Sequence, residues 1–193
     1  ELENDDHLVD LGCGGGSVAQ YLTQNSARIT GVDAVREFEE EFIKNTTNTG
    51  TCKVQFISAN ILELDFKSLI GASKVLCYEL IQYLDSDGLF RLISGITKDT
   101  RVRRVYIGGI PDLSKQDCFL LSRGDNGKEQ SNSSKQQPSI GKWWTQDEIQ
   151  EISNALGWST RFYGQDARLF SSAYRFDALL TRQTLGRVSE NGG

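Results

Sequence analysis

Several residue types that often carry chemistry are scarce in this chain of 193 residues. It has no methionine, one histidine and two prolines, and its four cysteines include no pair in CxxC spacing. These shortages exclude a zinc cluster of the usual spacing, and we expect no metal site. Cys13 and Cys77 lie in apolar strand contexts, so we expect free, buried thiols in a reducing cytoplasm.

Long hydrophobic runs and a signal peptide are also missing. The longest apolar stretches are far too short to cross a bilayer, so we expect no membrane partner and a cytoplasmic protein. Methionine is absent even at position 1, and we therefore expect the chain to be trimmed or incompletely represented.

An excess of positive charge is absent as well. The chain has 21 Lys and Arg against 26 Asp and Glu, which gives a net charge of −5. Phosphate binding over a broad face needs clustered basic residues, so we expect no nucleic-acid partner. We expect the one basic cluster, at Arg101, Arg103 and Arg104, to be solvated at the start of a strand.

Strand-like and helix-like segments alternate along a chain long enough for a single domain, residues 1–193. This pattern predicts an open, doubly wound α/β fold with a mostly parallel sheet. Strands are predicted at 7–11, 28–33, 52–58, 73–78 and 103–110. Helices are predicted at 16–24, at 35–44, from Asp85 or Ser86 onwards, and from a capping box at Thr145 and Glu148 to Gly157.

The last third of the chain departs from this alternation. Residues 113–141 include a long polar stretch, Ser122 to Gly141, and are predicted to be a mobile loop or a lid. Two final strands, at 159–165 and 174–182, are joined by fewer than ten residues without a helix. Because so short a connection cannot cross over, these strands are predicted to pair antiparallel.

A glycine-rich turn follows the first strand in the stretch VDLGCGGGS, with Gly12, Gly14 and Gly16 free of any Cβ. Asp33 ends the second strand. The carboxyl ends of parallel strands meet at the ligand crevice, where Asp33 is placed to accept hydrogen bonds from both hydroxyls of a ribose.

Two residues decide which nucleoside this turn favours. Ser17 stands where the dinucleotide fingerprint requires its third glycine, so an NAD-dependent oxidoreductase is the weaker alternative. Asp10, beside the turn, would repel a pyrophosphate and attract a cationic nucleoside without phosphate. S-Adenosylmethionine has this chemistry and is the predicted cofactor.

Several segments resemble, in order and spacing, the motifs of class I S-adenosylmethionine-dependent methyltransferases. Those matching the first four motifs are VDLGCGGGSVAQYL, ITGVDAV, VQFISANILEL and KVLCYELIQYLD; WWTQDEIQEISNALGW and YRFDALLTR resemble the last helix and terminal hairpin. The resemblance covers nearly the whole chain and implies seven strands in the order 3-2-1-4-5-7-6, with strand 7 antiparallel. It also implies a helical cap before strand 1 that is absent or truncated here, with residues 112–141 as a substitute lid.

The resemblance implies a set of cofactor-binding residues: Asp10, Gly12, Cys13, Gly14, Gly16, Asp33, Ala34, Asn60, Ile61, Cys77 and Tyr78. Within it, Ala34 and Ile61 lie against the two faces of the adenine, and Asn60 stands where the family often has an acid. Simpler roles stay open, namely a helix N-cap for Asp33 and a turn former for Asn60.

Methyl transfer needs a general base only if the acceptor arrives protonated, as a hydroxyl would. The only histidine, His7, begins strand 1 at the wrong end of the sheet. Glu79 and Asp112 follow strands 4 and 5 at the correct end and are the candidate bases. Tyr83 stands where small-molecule methyltransferases often have a histidine, and it is either an acceptor-orienting residue or a core aromatic.

Three further stretches, YIGGIPDLSK, WWTQDEIQ and SSAYRFDALL, are similar to bacterial methyltransferases associated with surface-polysaccharide synthesis. This similarity implies a small-molecule acceptor and O-methylation of a sugar hydroxyl. The alternative in another class is a non-catalytic S-adenosylmethionine-binding protein, which the missing cap and the missing histidine motivate.

Overall fold

A seven-stranded sheet forms the centre of the computed structural model, which describes residues 2–47, 52–69, 71–122 and 140–183. The strands are β1 His7–Leu11, β2 Arg28–Asp33, β3 Lys53–Ser58, β4 Lys74–Tyr78, β5 Arg104–Pro111, β6 Trp158–Gly164 and β7 Arg175–Arg182. Their order across the sheet is β3-β2-β1-β4-β5-β7-β6. The predicted strand order is therefore confirmed.

Strand direction also follows the prediction. β7 runs antiparallel to β5 and β6, and the other neighbouring pairs are parallel. The connection from β6 to β7 contains a 3-10 turn, Phe170–Ala173, where the sequence analysis expected no helix. It is still too short to cross over the sheet, which is why the antiparallel pairing holds.

The described residues form four α-helices: α1 Phe38–Thr47, α2 Ser86–Thr97, α3 Gln116–Ser122 and α4 Gln146–Ala155. α2 begins after Asp85, whose Oδ1 accepts a hydrogen bond from the Gly88 N–H at 2.7 Å. α4 has the predicted capping box between Thr145 and Glu148, and Gly157 follows it with a φ of 79°. These side chains fix the helix boundaries locally.

The predicted helix at 16–24 is wrong. Two 3-10 turns, Ala19–Tyr21 and Thr23–Asn25, occupy this stretch instead. The glycines before it and the run Thr23–Ser26 are weak helix formers, and the Thr23 hydroxyl bonds to the Gln20 carbonyl at 2.9 Å. Local side-chain bonds and low helix propensity therefore prevent a regular helix.

The predicted loop at 113–141 is wrong in its first part. Leu113–Lys115 forms a 3-10 turn that continues into α3, and Asp112 caps the turn through the Ser114 N–H at 3.0 Å. The rest of the predicted loop, residues 123–139, lies outside the described residues. The polar composition after residue 122 predicts a loop, but the cap at Asp112 stabilises the turn before it.

Two hydrophobic cores lie on opposite faces of the sheet. The larger core packs Leu89 and Ile96 of α2, with Ile149 of α4, against the strands. The smaller core packs Phe42 of α1 against Ile29. Beyond α1, this second face carries an apolar groove of about 770 Å³, with Leu76, Tyr106 and Leu179 among its lining residues.

Trp144 joins the larger core to the segment before α4. Its side chain is fully buried, and its indole N–H donates to the Ile81 carbonyl at 3.2 Å. Trp144 is therefore a packing residue of the larger core.

We expect Trp144→Ala to lower the free energy of unfolding by about 3–5 kcal/mol, because it leaves a large cavity in the core. Tyr21→Ala is the matched control, since that ring is 75% exposed, and its effect should stay within about 0.5 kcal/mol. Urea unfolding followed by tryptophan fluorescence and circular dichroism measures both. A Trp144→Ala loss no larger than that of the control would contradict the packing role.

Candidate active site

The crevice for a ligand lies where the chain reverses direction across the sheet. β1 lies between β2 and β4, and its carboxyl end is flanked by Asp33 of β2 and Tyr78 of β4. In open α/β sheets, ligands bind at such a switch point, outside the carboxyl ends of the strands. The predicted site residues on these three strands are therefore brought together.

The turn after β1 needs its glycines for two reasons. Gly12, Gly14 and Gly16 have φ values of 70°, 48° and 80°, in the left-handed region that favours glycine. A Cβ on Gly12 would lie 2.7 Å from Leu80 Cδ1, and one on Gly16 would lie 3.0 Å from Phe42 Cδ2. By contrast, a Cβ on Gly14 would meet nothing within 4 Å, so the main chain there faces open space.

Asp33 ties the turn to the end of β2. Its Oδ2 accepts a hydrogen bond from the Gly14 N–H at 3.0 Å, and its Oδ1 accepts one from the Val35 N–H at 2.9 Å. α1 begins only at Phe38, so the helix N-cap alternative for Asp33 is wrong. Each carboxylate oxygen accepts a single bond in this arrangement and keeps a lone pair for a further donor.

Asp10 is a buried acid without a hydrogen-bond partner for its carboxylate in the part of the chain that the structure describes. Its side chain is 3% exposed. Burial, and secondarily the negative charge of Asp33, raise the pKa of Asp10 to about 7. A cation placed in the crevice would stabilise the ionised form, so the site has the electrostatics for an ammonium group.

The residues proposed to surround an adenine lie beside this turn. The Ala59 N–H donates to the Asp33 carbonyl at 2.9 Å, which brings the segment after β3 next to the end of β2. Ala34 is exposed and Ile61 is half-buried. Asn60 Oδ1 accepts from the Leu62 N–H at 3.0 Å, the geometry of the turn-forming alternative, and retains one lone pair.

Cys13, in the turn after β1, and Cys77 and Tyr78, at the end of β4, complete the predicted cofactor-binding set. Cys13 and Cys77 are buried, and burial followed by the charge of Asp10 raises the pKa of both thiols well above the ordinary range. Their side chains therefore stay protonated and unreactive, and only their main-chain atoms are suited to contact a ligand. The Tyr78 ring packs over Gly108 of β5.

Glu79 is held in a strained conformation directly after β4. Its φ of 51° is the only positive value at a non-glycine position among the described residues. Its N–H donates to the Gly108 carbonyl at 2.8 Å, and its side chain is 45% exposed. Strain of this kind often occurs at functional sites, and it points the carboxylate-bearing residue out of the strand.

In the 3-10 turn that follows Glu79, Ile81–Tyr83, one polar side chain is exposed and its neighbour is buried. Tyr83 is 75% exposed, so the core-aromatic alternative is wrong. Gln82 is buried instead, and its Oε1 accepts a hydrogen bond from Arg175 Nη1 at 2.8 Å. Neither Gln82 nor Arg175 was found by sequence reasoning, because the contact joins positions 93 residues apart and has no local pattern.

Asp112, the second candidate base, is engaged locally. Its Oδ1 accepts from the Ser114 N–H at 3.0 Å and from the Ser114 hydroxyl at 2.6 Å. Lys115 Nζ lies 3.5 Å from its Oδ2. Its carboxylate is also buried, so the arrangement favours a capping role for Asp112 over proton transfer.

An aromatic cluster stands beside the carboxyl end of β5 and the amino end of β7. It consists of Phe119, Trp143, Phe170 and Tyr174, whose contacting rings lie 5.0–6.4 Å apart between centroids. Trp143 is half-buried here, unlike Trp144 in the core. The cluster supplies flat apolar faces on the acceptor side of the crevice.

The described residues hold neither a metal-binding cluster nor a membrane-spanning helix. No group of three or more His, Cys, Asp and Glu side chains is arranged there to hold a metal ion. His7 contacts Thr30 Oγ1 through Nε2 at 2.8 Å, at the amino end of the sheet. No helix among these residues is long and apolar enough to span a membrane.

Comparisons with known proteins agree with this geometry. Residues 8–100 match the family model described as a methyltransferase domain. A ubiquinone biosynthesis O-methyltransferase of Rickettsia conorii is 27% identical over 113 residues, which are 53% of this chain and 38% of that protein. The match thus spans less than half the length of this relative and of the ubiquinone biosynthesis O-methyltransferase of Rickettsia bellii.

Solved structures show the same fold. The magnesium protoporphyrin IX methyltransferase of Synechocystis PCC 6803, crystallised with S-adenosylhomocysteine, has a TM-score of 0.67 and 18% identity over 93% of this chain and 75% of that one. A small RNA methyltransferase, HEN1, has a TM-score of 0.66 and 21% identity over 92% of this chain and 23% of that one.

The predicted family and cofactor are therefore confirmed. The strand order, the glycine turn with its two strand-end acids, and the matched domain point to one cofactor chemistry. Residues 8–100 match a methyltransferase domain, and the chain has the seven-stranded fold of solved S-adenosylmethionine-dependent methyltransferases.

Proposed function

We propose that this chain transfers a methyl group to a hydroxyl of a small molecule. The observation that carries the cofactor side is the buried Asp10 carboxylate, which lacks a hydrogen-bond partner among the described residues, beside glycine main chain that faces open space. S-Adenosylmethionine supplies an activated methyl group on a cationic sulfur when it is bound. The relatives named O-methyltransferases support oxygen as the accepting atom.

Each residue of the cofactor side has a proposed task. Asp10 holds the ammonium group of the methionine end, and Asp33 takes the ribose hydroxyls with its remaining lone pairs. Ala34, Asn60 and Ile61 surround the adenine. The main chain of Gly12, Cys13, Gly14, Gly16, Cys77 and Tyr78 lines the remainder.

On the acceptor side, Glu79 is the proposed general base. A hydroxyl must lose its proton as the new bond forms, and the half-exposed Glu79 carboxylate sits at the end of β4 to accept it. Tyr83, exposed on the next turn, is proposed to orient the acceptor through its phenolic O–H. Asp112 is the weaker base candidate, because Ser114 and Lys115 already engage its carboxylate.

The acceptor class rests on charge and on the relatives. An RNA acceptor, suggested by the small RNA methyltransferase among the structural neighbours, fits poorly with a net charge of −5. The relatives reported above are named for ubiquinone biosynthesis and for a porphyrin, and a sugar hydroxyl stays a prediction of the sequence alone.

Cofactor binding can be tested by calorimetric titration with S-adenosylhomocysteine and with NADH. We expect the first to bind and the second not to bind. Asp33→Ala should weaken S-adenosylhomocysteine by about tenfold or more, because two hydrogen bonds to a charged group are lost. Asp5 is an exposed acid that precedes β1 at the amino end of the strands, away from the crevice. Asp5→Ala should therefore leave the affinity unchanged. Binding of NADH in place of S-adenosylhomocysteine would reject the assignment.

The role of Asp10 predicts a pH dependence. Its raised pKa of about 7 means that the free protein holds a proton there below neutral pH, and an ammonium-bearing ligand must displace that proton. Affinity for S-adenosylhomocysteine should therefore fall by about tenfold per pH unit as the pH drops below 7. Asp10→Asn should bind more weakly at pH 7 and show a flat profile. An equally steep profile in Asp10→Asn would exclude this carboxylate as the source.

The raised pKa of Asp10 also affects folding stability. Stability falls as the pH rises, whereas ligand affinity rises with pH. A carboxyl whose pKa is raised by folding destabilises the folded state as the pH rises from its unfolded value towards 7. In the ligand-free protein at pH 8, Asp10→Asn should therefore raise the melting temperature. Differential scanning fluorimetry at pH 5 and pH 8 checks this, and a lower melting temperature at pH 8 would contradict the buried charge.

Glu79→Gln tests the proposed base. We expect methyl transfer to fall by about a hundredfold or more, with unchanged affinity for S-adenosylhomocysteine, because the amide cannot accept the proton. The readout is mass-spectrometric detection of methylated products from a cell extract supplied with labelled cofactor. Glu151→Gln, on the exposed surface of α4, is the matched control. Equal product yields from both variants would remove Glu79 from the mechanism.

A further inference from the structure

Arg175, the first residue of β7, is a buried cation at the acceptor side of the crevice. Its side chain is 6% exposed. Its Nη1 donates to Gln82 Oε1 at 2.8 Å and to the Gly109 carbonyl, and it lies 3.8 Å from Glu79 Oε1. One nitrogen of the guanidinium group is therefore held by three neighbours.

The opposite edge of the same guanidinium is unused. Its Nε is buried and has no hydrogen-bond partner within the described ranges, and Nη2 makes no hydrogen bond there either. Nε–H and Nη2–H point in parallel and match the two oxygens of a carboxylate. A buried N–H without a partner is unusual in folded proteins and calls for an explanation, such as an absent ligand.

Neighbouring acids do not fill this edge. Asp177, also buried, already accepts from the Tyr106 hydroxyl at 2.6 Å, the Gly109 N–H at 2.8 Å and Gln165 Nε2 at 3.1 Å. Glu79 is paired with Nη1 and is 45% exposed. The positive charge of Arg175 is thus only partly compensated by the protein.

A bulge in β5 places Arg175 beside the proposed base. The β5–β7 register shifts between Ile107 and Ile110, and Gly109 has a φ of 68°. A Cβ on Gly109 would lie 2.6 Å from Glu79 Cγ and 3.5 Å from Arg175 Nη1. The glycine therefore lets the base and the cation approach each other from two strands.

Two features distinguish an acceptor carboxylate from that of the cofactor. β7 is three strands away from β1 and its glycine turn, a distance of roughly 14 Å at the usual strand spacing. Arg175 Cζ lies 5.7 Å from the Tyr174 ring centroid, which belongs to the aromatic cluster. Arg175 is therefore closer to the flat apolar faces than to the turn.

We propose that Arg175 binds a carboxylate of the methyl acceptor, and that the acceptor is a small aromatic hydroxy acid. This inference rests on the proposed function and specifies its substrate class. The ring of the acceptor lies against the aromatic cluster, the carboxylate pairs with Nε and Nη2 of Arg175, and the hydroxyl faces Glu79.

The probes are 3,4-dihydroxybenzoate and its uncharged amide, titrated by calorimetry into protein saturated with S-adenosylhomocysteine. We expect the acid to bind at least about tenfold more tightly than the amide, because a bidentate ion pair is made only by the acid. Arg175→Gln should abolish this preference, and Arg175→Lys should restore only part of it. Arg168→Gln, in the β6–β7 connection with a side chain 89% exposed, should keep the full preference.

The outcomes distinguish a failure of the Arg175 proposal from a failure of the proposed methyltransferase function. Equal binding of acid and amide to the unchanged protein, or no binding of the acid at millimolar concentration, overturns it without any variant. A preference that survives Arg175→Gln also overturns it. A loss of S-adenosylhomocysteine affinity in folded Arg175→Gln assigns the carboxylate to the cofactor instead. Failure of the unchanged protein to bind S-adenosylhomocysteine would count against the proposed function itself.

Discussion

The hydrogen bond from the Gly14 N–H to the Asp33 carboxylate joins the turn after β1 to the end of β2. β1 and β2 are parallel neighbours, so their carboxyl ends lie side by side and the turn must bend back over Asp33. That bend requires the left-handed conformation of Gly12, Gly14 and Gly16. The open main chain, the position of Asp10 and the seat of α1 over Gly16 all depend on this junction.

Two acids in one crevice give the site its electrostatic character. Burial is the main reason that the pKa of Asp10 is raised, and repulsion from Asp33 adds to it. A cationic ligand reverses this balance, whereas a pyrophosphate would worsen it. Burial, with a smaller contribution from the charge of Asp10, raises the pKa of the Cys13 and Cys77 thiols, so both stay protonated and unreactive toward electrophiles.

Local patterns predicted part of the topology. The alternation of strands and helices predicted the mostly parallel sheet, and the short final connection predicted the antiparallel pairing of β6 and β7. The order of the strands across the sheet was predicted from the resemblance to methyltransferases. The helix predicted at 16–24 is replaced by two 3-10 turns, because glycines precede the stretch and the Thr23 hydroxyl bonds to the Gln20 carbonyl. The turn at Leu113–Lys115 was missed because one capping acid was hidden by the polar composition after it.

The acceptor side was less predictable because its contacts are long-range. Arg175 contacts Gln82 and Glu79 beside the bulge at Gly109, and these residues are too far apart in the sequence for any local pattern to predict the contacts. Because arginine side chains are mostly exposed, the sequence alone would predict an exposed Arg175, and only the fold shows that it is buried. The positions of Glu79 and Asp112 after their strands could be predicted, but not that one carboxylate is half-exposed and the other engaged in a cap.

The left-handed backbone at Glu79 favours glycine for stability, whereas the proposed chemistry requires a carboxylate at the same position. An L-residue with a Cβ pays about 1 kcal/mol in that conformation, and glycine would avoid it. A laboratory screen for heat tolerance would therefore drive this position toward glycine or asparagine. Variants selected in this way would be more stable but would lack the proposed general base, so stability and catalysis would compete at a single backbone angle.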